Sequence, residues 1–269
     1  MKSIFYIVIF LFSLSVSAQG DSSFMLMKTM KINARTFTID NLENLYLLTE
    51  TDQLKKYNSN GDSIAVYNEM KRFGKLYALD VSNPLKILLF YKDFSTVSVL
   101  DRLLSLRNSL DLRKHNILQA TAVSGSYDNN IWVFDAQENK LKKIDEQGNL
   151  ILETIDFRSF LPMSFSPEKI IDQNNSVYLY DPLVGLLQFD YFGSFQKKHP
   201  VTGLKNIAIL DKSIVGIDTG RLTIYNTSTL MQRQYQFPSS FGSFNQYIIA
   251  NTKLLTLNNG SINIYSFRF

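Results

Sequence analysis

The stretch that decides the fold is DNNIWV at residues 128–133, followed by LKKID at 141–145 and QGN at 147–149. It opens with Asp and Asn, which favour turns because their side chains bond nearby backbone groups. An apolar and aromatic segment comes next, and a second one begins ten residues later. A turn containing glycine follows, and glycine supplies the positive φ of a tight hairpin. This order predicts antiparallel β structure.

The same order of residue types recurs along the chain. Two clear copies are DNLENLYL with LKKYN and NGD at 40–47, 54–58 and 60–62, and DQNNSVYL with LQFD and FGS at 172–179, 187–190 and 192–194. Weaker copies fill the gaps. The six apolar strands start at Leu45, Ile87, Ile131, Val177, Ile214 and Leu254, with separations of 42, 44, 46, 37 and 40 residues.

A period of about 42 residues is typical of propeller blades that contain four strands each. Six copies therefore predict an all-β fold, a six-bladed β-propeller. The last copy has only three strands, at 247–250, 253–257 and 261–267, while residues 23–30 form an unpaired apolar strand. We expect this N-terminal strand to pair with the last blade and close the ring.

Two other all-β folds, a β-sandwich and an up-and-down barrel, also contain many short strands, but neither predicts this period or this division of strands between the two ends. Residues 101–115 are open to two interpretations, because their leucines partly follow helical spacing. We favour a long loop after Asp101 and a strand near residues 109–112 over a helix.

The first 18 residues have the pattern of a cleavable signal peptide. Lys2 gives a positive start, residues 4–14 are nearly all apolar, and Val16-Ser17-Ala18 has a modest or small residue at the −3 and −1 positions. The alternative is an uncleaved anchor, but the apolar run is shorter than the ~20 residues that span a bilayer. We therefore predict a signal peptide at 1–18 and a propeller domain at 19–269, with no membrane span after cleavage.

The composition excludes several classes of function. The chain of 269 residues has no cysteine, which excludes disulfides, thiolate catalysis, zinc–thiolate sites and a lipoprotein anchor. The net charge of +4 is low for a nucleic-acid-binding protein, so nucleic acid is not an expected partner. The lysine pairs at 55–56, 142–143 and 197–198 are interpreted as solvated strand faces or loop ends.

No set of residues has the spacing of a catalytic, cofactor or metal site. His115 and His199 have basic neighbours and no adjacent carboxylate to orient them. Asp40, Asp128 and Asp172 recur at one position of the repeat, which favours a role as turn caps over catalysis. Trp132 occupies the place of Tyr46 and Tyr178 in other copies and is predicted to be a packing residue rather than a platform for a sugar.

The segment Asn83-Pro84-Leu85-Lys86 departs from the turn of the other copies. Loops that depart from a repeat are candidates for binding. We therefore take Asn83, Pro84 and Lys86 as a candidate interaction loop, with a simple adjustment of loop length as the alternative.

The repeat, with its Asp/Asn turn, aromatic strand and Leu-x-x-aromatic-Asp segment before a glycine turn, resembles NHL-type six-bladed propellers. It is also similar to uncharacterised envelope propeller proteins of Gram-negative bacteria. The segment at residues 83–91 strengthens this likeness. The resemblance covers nearly all of 23–269 and implies a ring that binds another protein, in the periplasm or at the periplasmic face of the outer membrane.

The function expected from these features is a non-enzymatic protein-interaction scaffold in the cell envelope, with envelope proteins as partners. The resemblance extends this to a subunit of outer-membrane assembly or secretion machinery. The alternative is a metal-dependent propeller hydrolase, either lactonase-like or carbohydrate-active. The side chains that line the channel distinguish the two, because three or more Asp, Glu, Asn or His side chains within reach of one metal ion favour the enzyme.

Cleavage of the signal peptide gives a direct prediction. The exported protein begins at Gln19, because signal peptidase cuts after small residues such as Ala18. N-terminal sequencing or the intact mass of the exported protein checks this. A mature mass that still includes residues 1–18 would contradict it.

Overall fold

A computed structural model describes residues 24–238, 241, 246–250, 252–258 and 260–267, and these residues contain 24 strands. The predicted signal peptide lies outside the described residues. The first twelve strands are β1 (Phe24–Lys31), β2 (Thr36–Ile39), β3 (Leu45–Leu48), β4 (Leu54–Tyr57), β5 (Ser63–Tyr67), β6 (Ala78–Asn83), β7 (Lys86–Tyr91), β8 (Thr96–Asp101), β9 (Leu106–Asp111), β10 (Ala120–Gly125), β11 (Ile131–Asp135) and β12 (Lys140–Ile144).

The second half continues the same alternation of short strands and turns. Its strands are β13 (Leu150–Glu153), β14 (Lys169–Gln173), β15 (Ser176–Asp181), β16 (Gly185–Phe189), β17 (Phe195–His199), β18 (Lys205–Leu210), β19 (Ser213–Asp218), β20 (Arg221–Asn226), β21 (Gln232–Gln236), β22 (Gln246–Ala250), β23 (Lys253–Asn258) and β24 (Ser261–Phe267). The helices within the described ranges are three short 3₁₀ turns, Lys92–Phe94, Leu112–His115 and Phe157–Ser159, and none of these is long enough to cross a membrane.

The strands form six antiparallel four-stranded sheets, which are the blades of a six-bladed β-propeller. Blades 1 to 5 are β2–β5, β6–β9, β10–β13, β14–β17 and β18–β21, and blade 6 is β22, β23, β24 and β1. The predicted fold class is confirmed. The six predicted strand starts fall on the second strand of each blade, within one residue of its first position.

Each blade packs on two neighbours, so both faces of its sheet are buried. Six apolar clusters of buried residues lie between the six pairs of neighbouring blades. The second strands therefore lack the polar alternation of a half-exposed sheet. Every residue of β3, β7, β11 and β15 is buried.

Pairing of β1 with β24 closes the ring, as the sequence predicts. Phe24 lies opposite Phe267 and packs edge-on against Phe237 and Phe241, with ring centroids 5.5 Å apart in both cases. After Phe24, most of β1 is exposed. Residues 25–27 are 54–65% exposed because β1 is the outermost strand, and a bulge between Leu26 and Lys28 interrupts its alternation.

Two further expectations are corrected. The loop after Asp101 is a turn of only four residues, in which the Asp101 carboxylate accepts the N–H groups of Leu103 and Ser105. The strand that follows, β9, starts earlier than expected, and only a 3₁₀ turn at Leu112–His115 has helical character.

The second correction concerns lysines. Lys197 and Lys198 are exposed as expected, but Lys56, Lys142 and Lys143 are only 3–4% exposed. They lie between blades, and the Lys56 ammonium donates to the carbonyl of Arg102 in the next blade. The aliphatic part of a lysine side chain can cover apolar surface while its ammonium group reaches a hydrogen-bond acceptor. A lysine can therefore lie on a packed face of a blade.

The closing strand provides a test of the fold. Replacing Phe24 with Ala removes a buried ring and should cost about 3 kcal/mol of unfolding free energy. Met27→Ala is the matched control, because Met27 is 55% exposed in the same strand, and it should change stability by less than about 0.5 kcal/mol. Urea denaturation measures both, and equal midpoints would contradict closure through Phe24.

Candidate functional site

Rigid turns hold the ends of the strands. Asp40, Asp101, Asp145 and Asp190 each accept the backbone N–H groups two and four residues ahead through one carboxylate oxygen. Asp128 accepts the N–H of Asn130. The predicted role of Asp40 and Asp128 as turn caps is confirmed. These hydrogen bonds fix the backbone of the turns.

Asp172 has a different role, so its prediction as a turn cap is wrong. It lies within β14, because residues 174–175 form the corner in this blade. Its side chain reaches into blade 3, where Oδ2 accepts hydrogen bonds from Trp132 Nε1 at 2.8 Å and Tyr127 N at 3.2 Å. Oδ2 also accepts from Ser126 Oγ at 3.0 Å.

The other oxygen of Asp172 accepts the hydroxyl of Tyr191, from blade 4, at 2.8 Å. Trp132 is fully buried, which confirms that it is a packing residue. Lys143 lies over its ring, with Nζ 4.5 Å from the ring centroid, and pairs with Asp128 at 2.9 Å. Burial alone would raise the pKa of Asp128, but hydrogen bonds led by that from Lys143 outweigh it and lower the pKa to about 2.

This buried network supports a stacked aromatic pair, of which Tyr127 is exposed and Tyr191 half-buried. The rings of Tyr127 and Tyr191 are stacked across the boundary of blades 3 and 4, with centroids 4.1 Å apart and planes inclined by 16°. Tyr127 is 63% exposed and Phe192, next to Tyr191, is 83% exposed. Burial and the hydrogen bond to Asp172 raise the pKa of Tyr191 well above its usual range.

The candidate loop at Asn83, Pro84 and Lys86 joins this region. It is a two-residue hairpin turn, since Asn83 pairs with Lys86. Asn83 Nδ2 donates to Asn129 Oδ1 at 3.0 Å, and the ammonium of Lys86, which is 5% exposed, donates to the carbonyl of Asn129. Two of its three residues thus fasten blade 2 to blade 3, while Leu85 at the tip is 63% exposed. A binding role for the loop stays a prediction.

We call Leu85, Tyr127 and Phe192 the turn patch. Bonds between the Asn83 and Asn129 side chains link its first two turns, and the Tyr127–Tyr191 stack links the second to the third. The turns of Leu85 and Tyr127 join the first and second strands of their blades, and the turn of Phe192 joins the third and fourth. Because the strands are antiparallel, all three turns lie at the same end of the strands. Sequence analysis singled out Asn83 but not Tyr127 or Phe192, because the repeat motif does not show that these side chains are exposed at turn tips.

The second candidate is the central channel, a cavity of about 1590 Å³. The innermost strands β2, β6, β10, β14, β18 and β22 line it. At the end of the channel formed by the crossovers between blades, Arg35 and Lys71 both pair with Asp52, at 2.8 and 2.9 Å. The lining combines Thr, Ser and aliphatic side chains with further charged residues, which are Lys75, Asp80, Glu168, Lys169, Asp172 and Lys205.

In the described part of the chain, no three His, Cys, Asp or Glu residues are placed to hold one metal ion. His199 is 1% exposed and its Nε2 lies 3.0 Å from Gln188 Oε1. Burial, with a smaller contribution from Lys197, lowers the pKa of His199 to about 4. His115 packs against Gly148, and neither ring lines the channel.

Comparison with solved structures supports the fold. Virginiamycin B lyase from Staphylococcus aureus is 11% identical, with a TM-score of 0.60 and coverage of 91% of this chain and 100% of that one. BBS1N in complex with ARL6DN is 11% identical, with a TM-score of 0.57 and coverage of 92% and 97%. BamB from Moraxella catarrhalis is 12% identical, with a TM-score of 0.51 and coverage of 86% and 84%.

At these identities the likeness shows a shared propeller fold and nothing finer, since one fold carries many functions. The three proteins include an enzyme and a protein bound to a partner. No protein-family model matches the chain, and no curated protein matches its sequence.

The Asp172 network gives the next prediction. Asp172→Ala leaves four donors without their acceptor and should cost at least about 2 kcal/mol of unfolding free energy. The emission of Trp132, the one tryptophan of the chain, should also change, because its N–H loses its partner. Asp190→Ala is the control, since it removes the three hydrogen bonds of a turn cap but none to Trp132, and it should leave the emission unchanged. An Asp172→Ala protein with wild-type emission and melting temperature would contradict the network.

Proposed function

We propose that the protein is a non-enzymatic interaction scaffold of the cell envelope and that the turn patch is its docking surface. The observation that carries this proposal is the exposure of three large apolar side chains, at 63, 63 and 83%, on turns that are bonded to one another across three blades. Contiguous exposed apolar surface marks interaction sites more often than scattered single residues do.

The construction of the patch suits binding. Aromatic side chains dominate the energy of many protein interfaces, and a surface that is ordered beforehand loses little conformational entropy on association. Asp172 accepts hydrogen bonds from the backbone of Tyr127 and the hydroxyl of Tyr191. Asn129 accepts one from Asn83, in the hairpin that carries Leu85. The patch therefore offers apolar area to a partner without having to fold first.

The envelope setting rests on the signal peptide pattern at 1–18 and on the resemblance described above. The likeness to BamB supports a place among envelope proteins and is compatible with a subunit of outer-membrane assembly or secretion machinery. The periplasm, or the periplasmic face of the outer membrane, is the proposed location. The lyase neighbour keeps the enzyme alternative open to test.

A pair of variants tests the docking surface. Leu85→Ser combined with Phe192→Ser removes two of the three apolar tips, so partners that co-purify with the tagged wild-type protein from solubilised envelopes should be lost. Leu183→Ser is the matched control, because Leu183 is 89% exposed on a turn at the opposite end of the strands. This control should retain the partners.

Quantitative mass spectrometry of the purified material measures the result, and melting curves show that all variants are folded. Exposed substitutions of this kind should change stability by less than about 0.5 kcal/mol. Equal recovery of partners with the double variant and the wild type would exclude the turn patch. An absence of any envelope partner with the wild type would exclude the scaffold function.

A further inference from the structure

The charges of the chain are unevenly distributed around the ring. Residues 36–194, which run from β2 to the turn before β17, contain 16 Lys and Arg against 21 Asp and Glu. Residues 195–269 contain 8 Lys and Arg against 2 Asp and Glu, and Asp218 is the last acidic residue of the chain. β1, which completes blade 6, adds two lysines and no acidic residue. The positive charge is therefore concentrated in one sector, from β17 through blades 5 and 6.

The outermost strands of this sector have basic residues and no acidic ones. These strands are β17, β21 and β1, in blades 4, 5 and 6. None of their exposed cations forms an ion pair with a described residue, and these cations are Lys197, Lys198, Arg233, Lys28 and Lys31. The other outer strands differ, because β5 has no charged residue, β9 has one of each sign and β13 has one glutamate.

Contacts between the three blades join these strands into one surface. Lys197 Nζ donates to the carbonyl of Thr227, at 3.4 Å, in the turn of blade 5 that leads to β21. Phe237, directly after β21, packs on Phe24 at the start of β1. We call this surface the basic rim, and it consists of residues 195–198, 230–233 and 25–31.

Exposed aliphatic side chains lie among the cations of the basic rim. Met25, Leu26 and Met27 of β1 are each more than half exposed, and so are Leu230 and Met231 in the turn before β21. Contiguous exposed apolar surface marks a contact with a protein or a membrane. Helices that lie on membrane surfaces combine exposed apolar side chains with Lys and Arg, and the same two forces act on side chains that a sheet presents.

The residue types of the basic rim favour a lipid surface over an acidic protein. Protein interfaces are enriched in aromatic residues and Arg and depleted in Lys, whereas four of the five cations of the rim are lysines. Lysine side chains are long and flexible, and mobile lipid headgroups can follow them without a fixed complementary shape. Anionic lipids attract such groups of basic residues, by about fivefold in affinity for each Lys or Arg near the surface.

We infer that the basic rim binds the surface of a membrane that contains anionic lipids. The ammonium and guanidinium groups lie at the headgroups, and the methionine and leucine side chains enter the boundary between headgroups and acyl chains. Binding is peripheral, because only side chains of the rim enter the lipid. The basic rim shares no residue with the turn patch, so this inference and the scaffold function can fail independently.

Sedimentation with vesicles tests the inference on the full mature protein. Vesicles of phosphatidylcholine mixed with phosphatidylglycerol should bind the protein. Vesicles of phosphatidylcholine alone should bind it at least about tenfold more weakly, because they lack the anionic headgroups. Added salt should weaken binding, since ions screen exposed charges. Equal binding to both kinds of vesicle, or binding to neither, would overturn the inference.

Two double variants locate the charges that bind. Lys198→Gln combined with Arg233→Gln removes two exposed cations of the rim and should weaken binding to the anionic vesicles at least about tenfold. Lys75→Gln combined with Lys114→Gln is the matched control, because it removes the same charge from exposed lysines in the crossovers after blades 1 and 2. This control should bind as the wild type does. An equal loss in both double variants, or none in the rim variant, would overturn the assignment to the rim.

The apolar side chains distinguish a membrane from an acidic protein. Leu26→Ser combined with Met231→Ser keeps every charge and should weaken vesicle binding about tenfold, because two side chains no longer enter the lipid. Leu183→Ser, an exposed leucine outside the rim, should bind as the wild type does. Poly-L-glutamate, which has carboxylates but no apolar layer, should bind more weakly than the anionic vesicles. Equal affinity for poly-L-glutamate, or wild-type vesicle binding by the Leu26 and Met231 variant, would indicate an acidic partner and overturn the membrane inference.

Discussion

The structure depends on the closure of the ring by β1 and β24. Every blade must bury both faces of its sheet, and each face is covered only if a neighbour stands on either side. An open chain of blades would leave two faces uncovered at its ends. Because β1 is placed in the last blade, residues separated by more than 200 positions in the sequence share one sheet. Closure thus converts six marginal sheets into one cooperative unit, since an isolated small sheet is barely stable.

Closure creates a second constraint at the centre of the ring. The inner edge of each first strand has backbone groups that no further strand can pair, and unpaired buried backbone groups are costly. Neighbouring blades supply side chains for them: the Gln246 amide bonds both N and O of Phe37, Asn206 bonds the carbonyl of Tyr247, and Lys169 bonds that of Ile207. These polar side chains of the inner strands therefore serve first to satisfy backbone groups. Only the donors and acceptors that this leaves unpaired are available to a ligand.

The sequence predicted the features of the fold that the repeat determines. The period of about 42 residues and the count of three strands after β21 follow from local patterns, so the blades and their closure could be read directly. Contacts between blades leave no local pattern. Lys56 and Lys143 look like surface residues in their strands and are buried because another blade covers them. Asp172 looks like the aspartates of sister turns, but its acceptor role depends on Trp132, forty residues earlier. The turn patch was missed for the same reason, because its members meet only in the folded ring.

Both candidate sites depend on one inner strand, β14. Lys169 and Asp172 are three residues apart in this strand, so by the alternation of side chains they point to opposite faces of blade 4. Lys169 accordingly reaches blade 5 and the channel, whereas Asp172 reaches blade 3 and supports the turn patch. A strand inside a closed ring has one register, because a shift by one residue would exchange these two side chains and place each against the wrong blade. Both sites therefore depend on the register of this one strand.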